Sequence, residues 1–359
     1  MIVAKNIYNA DGIKLLSNNV VLTSTYIRKL QTLNINSVFI KNPLFSDIEP
    51  PEIINETTRV QAIHTVSKAF KEFKTSKRIN LKKFEQTANR IIREAILNRH
   101  SMVHLTDIRT HDDYTFGHSV NVCILATIVG LQAGLSPAAL KVLALGSLLH
   151  DLGKTFIPNE ILDKKGRLSE DEFAVIKQHS QLGYDVLHQE ADELSRLVPL
   201  IALQHHERYN GHGYPNGLAG DDIHQHAQIV AAVDVYDALT SDRPYHQALL
   251  PHEAYELMLS LSGSQFSPAI LTNFLGQIAA YPVGTIVLLN TGQLGIVVRV
   301  FPKLQLRPTI RLLTDEYGNC YPDQPELDLT KRLTVFITKT LTDREIYELP
   351  NKLRFSACL

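Results

Sequence analysis

At 359 residues the chain is long enough for two or three domains, and 44% hydrophobic residues can fill a sizeable core. Thirty-six Lys and Arg against 37 Asp and Glu leave a net charge of -1, so no global field recruits a nucleic-acid polymer or an anionic membrane. Cys123, Cys320 and Cys358 show no paired spacing, which argues against a disulfide framework or a thiolate metal site and for incidental thiols in a reducing compartment. No basic segment leads into an apolar run, and no window approaches ~18 uncharged apolar residues, so a cytoplasmic protein without a membrane segment is expected.

Residues 1–41 read as a small α/β unit: two strands around Asp11-Gly12, a short helix over 23–33 and a closing strand at 38–40. It carries no ligand cluster, and packing or a dimer contact is its expected role. Pro43, Pro50 and Pro51 mark residues 42–56 as a linker. From 57 to 281 the pattern is helical nearly throughout, with about ten helices by apolar three-and-four spacing. Ser136-Pro137 suits a helix start, and Leu168-Ser169 with Glu172 is a capping box preceded by an apolar residue. A helix is expected from Ser267-Pro268 to Ala280, and residues 211–222 are expected to be an irregular loop. From 282 to 359 the texture turns to β-type runs at 284–289, 295–300 and 309–313, divided by turns, which predicts a small antiparallel sheet. The expected class is mainly α, with a small N-terminal α/β unit and a β-rich C-terminal extension.

The polar residues of the helical part decide its chemistry. Asp151 and His150 follow an apolar helix, and Asp234 sits inside the run Ile229-Val-Ala-Ala-Val-Asp234-Val. A buried carboxylate is expensive unless paired or metal-bound. Alone, His118 or His179 would read as a satisfied core histidine. Together His118, His150, Asp151, His179, His205, His206 and Asp234 are the nitrogen and oxygen donor set of a two-metal hydrolytic site. Adjacent helical side chains diverge by about 100°, so His205 and His206 can share one centre only near a helix end.

The motifs His150-Asp151-Leu-Gly-Lys154, His179-Ser-Gln-Leu-Gly183, His205-His206-Glu-Arg208, Gly213-Tyr214-Pro215, Asp234-Val-Tyr-Asp237 and Arg243-Pro244-Tyr245 follow one another in the order of a known family. Over roughly residues 111–275 the chain resembles the HD-GYP cyclic-dinucleotide phosphodiesterases, a branch of the HD metal-dependent phosphohydrolases. The resemblance implies an HD-type helical bundle and two divalent metals, iron or manganese first, nickel or zinc next. One metal would take His118, His150, Asp151 and Asp234; the other His179, His205 and His206, with Asp151 bridging. Lys154, one turn beyond His150, would meet the phosphate or the leaving oxygen. Gly213, Tyr214 and Pro215 would form a substrate lip, and Arg243 would contact a phosphate or guanine, or else pair with Asp237 or Asp242. The expected reaction is hydrolysis of cyclic di-GMP to linear pGpG, with further cleavage to GMP left open, by a hydroxide shared between the metals.

Three departures bear on this. Tyr114 stands where some members carry a glutamate for a third metal, which favours two; His246 stands at an often basic position; His212 is unusual in the loop. The alternatives are a phosphodiesterase for another cyclic dinucleotide such as cyclic GMP-AMP, or a non-catalytic cyclic-di-GMP receptor. A homodimer is compatible with either.

Overall fold

The structure, a computed structural model, describes residues 1–9, 13–33, 35, 38–41, 47–48, 52–99, 101–103, 114–164, 166–190, 196–241, 248–342 and 345–346, those at 114–115 by backbone alone. In the N-terminal unit, β1 (Ile2–Val3) pairs antiparallel with the closing strand, and β2 (Ile7–Tyr8) pairs with β3 (Lys14–Leu16). The Asp11-Gly12 turn expected between the latter lies outside the described residues. Thr23 caps α1 (Ser24–Thr32) by accepting from the Tyr26 amide, and β4 (Ile40–Lys41) closes the unit. Val3, Ile7, Leu30 and Ile35 form its small core.

The helical part begins with α2 (Glu56–Ser76), where the Asn55 side chain accepts from the Thr57 amide, and α3 (Leu81–Leu97). Next come α4 (Tyr114–Gln132) and α5 (Pro137–Leu149), whose described side chains are apolar on nearly every face and therefore central. α4 touches α2, α3, α5 and α9 (Gln225–Thr240), as well as α11 (Pro268–Leu275). Between these in the chain stand α6 (Asn159–Leu162), α7 (Glu170–Glu190), α8 (Val198–Gln204) and α10 (Pro251–Ser260). The capping box at α7 is present in both directions: the Glu172 amide donates to Ser169 Oγ at 3.2 Å, and the Ser169 amide donates to Glu172 Oε2 at 2.7 Å. One expectation overshot. α11 ends at Leu275 rather than Ala280, because Ile278 and Ala279 leave it to pair with Val103 in a short parallel bridge.

The C-terminal sheet has five antiparallel strands in the order β8 (Glu326–Asp328), β7 (Thr309–Leu312), β6 (Leu294–Arg299), β5 (Ile286–Leu289), β9 (Ile337–Thr340). It rests on the helices through Tyr281, stacked on His252 at 5.2 Å, and Gln305, which donates to the Gly276 carbonyl at 2.8 Å. Cys320 is disulfide-bonded, against the reading of all three cysteines as thiols, whereas Cys123 is free and buried. Among the described residues no helix is long and apolar enough to cross a membrane.

Candidate metal centre

α5 stops where its apolar pattern stops. His150 caps it, Asp151 turns the chain, and a 3-10 helix (Leu152–Phe156) follows. The tighter turn folds Lys154 back, so its Nζ donates to Asp151 Oδ2 at 2.6 Å rather than pointing one α-turn onward. Gly153 makes that turn fit against α7: a Cβ there would lie 1.9 Å from the His179 carbonyl oxygen, which no side chain tolerates. The Leu-Gly-Lys spacing thus brings α7, and with it His179, against the end of α5.

All seven expected donors converge, in two groups. His118, His150 and Asp151 form one, and the Oδ1 of Asp234 joins it 3.0 Å from His118 Nε2. His179, His205 and His206 form the other. Asp151 faces both. Its Oδ2 lies 3.3 Å from His150 Nε2 and 3.8 Å from His118 Nε2, and its Oδ1 lies 3.5 Å from His179 Nε2 and 3.8 Å from His205 Nε2. His205 ends α8 and His206 starts the next loop, which lets neighbouring rings, 4.0 Å apart, face one centre.

Hydrogen bonds at the far ring nitrogens set which way the lone pairs point. The Nδ1–H groups of His150, His179 and His205 are committed to the carbonyls of Ser147, Ile176 and Ala202, three residues back, at 2.7, 2.6 and 2.8 Å. Each Nε2 is therefore an acceptor aimed inward. The Nε2 atoms of His179 and His205 stand 3.3 Å apart, lone pair to lone pair, and His150 Nε2 and Asp151 Oδ1 are buried with no hydrogen-bond partner. Buried acceptors facing one another are repulsive, and a shared cation is what removes the repulsion. The residues present fit a divalent metal.

Electrostatics separates the groups. Burial would depress the His118 imidazolium, but Asp234 and Asp237, one at each ring nitrogen, outweigh it and raise the group to about 9. Burial would raise the Asp151 carboxyl, yet Lys154 and His150 hold it well below the usual carboxylate range. Burial likewise opposes ionisation of Asp234, and His118 holds that carboxyl down. Burial lowers His179 to about 4 and His206 to about 3, and His205 is pushed far down by burial and by His206.

Above the second group lies the loop after His206. Glu207, 3% exposed, accepts the amides of Asn216 and Leu218 at 2.7 and 3.0 Å, and the Tyr214 amide donates to the His206 carbonyl at 3.2 Å. Gly213 packs so tightly under the motif that a Cβ would sit 2.3 Å from the Arg208 nitrogen. The Tyr214 ring stacks on His206 at 4.8 Å, and Pro215 follows it at the exposed rim through a cis peptide. Arg243, with Asp242 and His246, lies outside the described residues.

Sequence reasoning missed the support behind these donors. Asp237 accepts from His118 Nδ1 at 2.7 Å and from Asn121 Nδ2 at 3.1 Å, and the buried Arg59 donates to Asn121 Oδ1 at 2.9 Å. The signal was spacing: Asn121 and Asp237 each follow a donor by three residues on an apolar helix, and so share its face. Glu207 was quoted within a motif but given no role.

The HD domain family matches residues 91–270, half the chain, and a KOW domain associated with HD domains matches residues 286–349. The chain belongs to the HD domain family. The HD-GYP motifs quoted above fall inside the matched range. A cyclic di-GMP phosphodiesterase from Pseudomonas aeruginosa is 34% identical over 72% of this chain and 62% of its own length. A 3'3'-cGAMP-specific phosphodiesterase from Vibrio cholerae is 33% identical over 44% of this chain and 30% of its own. The chain thus spans less than two thirds of either relative. Among solved structures, an HDG"Y"P protein from Bdellovibrio bacteriovorus matches with a TM-score of 0.51 at 19% identity, over 77% of this chain and 94% of that one, a likeness of fold.

Proposed function

We propose that the chain is a metal-dependent phosphodiesterase that hydrolyses cyclic di-GMP to linear pGpG, with a further cut to GMP left open. The observation that carries this reading is Asp151, a buried carboxylate with one oxygen turned to each of two donor groups. Two divalent ions, iron or manganese ahead of nickel or zinc, would be held by His118, His150, Asp151 and Asp234 on one side and by His179, His205 and His206 on the other. Bound there, they supply Lewis acidity and an activated water, which a resistant phosphodiester anion needs.

The protein's own groups do the rest. Lys154 is half-buried with its ammonium against Asp151, where it can neutralise a phosphate oxygen and protonate the leaving oxygen. Gly213, Tyr214 and Pro215 shape the lip, and Arg243 is assigned a substrate phosphate or guanine. Residues 57–281 are taken as the catalytic domain, joined by 42–56 to the 1–41 unit, with 282–359 as a packing extension. The P. aeruginosa relative supports cyclic di-GMP as substrate.

Anaerobic turnover of cyclic di-GMP by metal-quantified protein, reconstituted separately with iron and manganese, tests this. Linear pGpG or GMP at about two metals per chain is the expected outcome. Tight binding with two metals and no product identifies a receptor instead. Neither binding nor product removes cyclic di-GMP as the ligand, and cyclic GMP-AMP is the next compound to assay.

A further inference from the structure

α7 carries two residues that no donor group needs. Phe173 leaves 44% of its surface exposed, although it lies against the loop that covers the second donor group. It meets Tyr214 edge-on, with centroids 6.3 Å apart and planes at 83°. Lys177, one turn further along the same helix face, holds its ammonium 4.7 Å from the Phe173 centroid and 5.6 Å from that of Tyr214. Tyr214 in turn lies on His206. A connected row of rings therefore runs from the donor group outward, imidazole, phenol and, at right angles to it, phenyl, with one cation over the last two.

Packing alone does not call for this. Phe173 is the fourth residue of α7, where an apolar side chain can staple back to Leu168, just before the cap. A leucine would serve a staple equally well and would not need a lysine over its face. Exposed aromatic faces beside an ammonium are what a flat, polar heterocycle recognises: the face stacks, and the ammonium reaches the oxygen and nitrogen acceptors along a guanine edge.

We infer that Phe173, Lys177 and Tyr214 form a purine subsite, in which one base of the substrate takes the place of the Lys177 ammonium over the Phe173 ring and draws that ammonium to its acceptor edge, while its phosphate lies over the donor groups. This rests on the reading of the chain as a cyclic-dinucleotide phosphodiesterase and names α7, rather than the lip alone, as the element that selects a base. Phe173 and Lys177 are assigned to binding, not to the chemical step.

The test uses the full metal-loaded chain and two readouts. Phe173→Leu preserves the staple and removes the ring; it should raise KM for cyclic di-GMP about tenfold, with kcat little changed. Lys177→Met, which keeps the aliphatic stem, should raise KM by a smaller factor. Separately, the fluorescence of 2-aminopurine riboside 5'-monophosphate should be quenched on binding to the unmodified protein and far less by Phe173→Leu, with quenching restored in Phe173→Trp. Equal KM and equal quenching in Phe173→Leu and the unmodified protein overturn the subsite. If the unmodified protein cleaves no cyclic dinucleotide yet the quenching difference persists, the proposed substrate is wrong and the purine subsite stands.

Discussion

His118 has a carboxylate at each ring nitrogen, whereas His150, His179 and His205 each have a backbone carbonyl at one nitrogen and a bare lone pair at the other. The half of the centre that holds His118 also holds Asp234; the half that holds His179 is made of imidazoles. At neutral pH the first half therefore keeps a proton that a metal must displace, and the second presents neutral donors. The two donor groups, which share Asp151, thus differ at His118: its ring is held by charge on both sides, whereas the rings of His150, His179 and His205 are held by orientation.

The sharpest way to break this comparison is to remove what the halves share. Asp151→Asn should lose metal from both groups and lower turnover by about a thousandfold or more. A variant retaining two metals and full turnover would sink the shared role. Asp237→Asn addresses one half only. It leaves His118 with a weaker partner, so the stepwise metal affinity of that half should drop about 10–100-fold while the other step stays put. Calorimetric metal titration separates the two, and equal shifts in both steps would mean that the halves are not independent.

The third test is in pH, where the effect per unit is the smallest of the three. With His118 raised to about 9, metal affinity of its half should climb about tenfold per pH unit from 7 upward and level off near 9. The imidazole half, with His179 near 4 and His206 near 3, should stay flat down to about pH 5. In metal-free protein the sign reverses for His118: its folded value exceeds the unfolded one, so its pairing stabilises fully below about pH 6.5 and is lost as pH rises through about 9. Denaturant midpoints across that range provide the check.

Much of this was legible in the chain. The seven residues that converge were singled out in the chain, His150, Asp151 and Asp234 because they interrupt apolar runs and the four others by their place beside them in the motif set, and the helix starts at Ser136 and Ser169 were legible because capping chemistry is local. What escaped notice depends on how elements meet. Nothing around Lys154 indicates a 3-10 turn; that follows from Gly153 pressing on α7, a contact between segments some 26 residues apart in the numbering of Gly153 and His179. Asp237 stood in the chain only as one alternative partner of Arg243, with no link to His118, whose Nδ1 it meets in the structure, and β8 and β9 were too short and too polar to be read as strands.

Glu207 has a further consequence. Its carboxylate grips two amides of the loop that bears Tyr214, one residue after His206, so donor and lip move as a single block. A wall tied at two points resists swinging, so this part of the surface meets a ligand already in shape and spares the free energy of association the loss of ordering it.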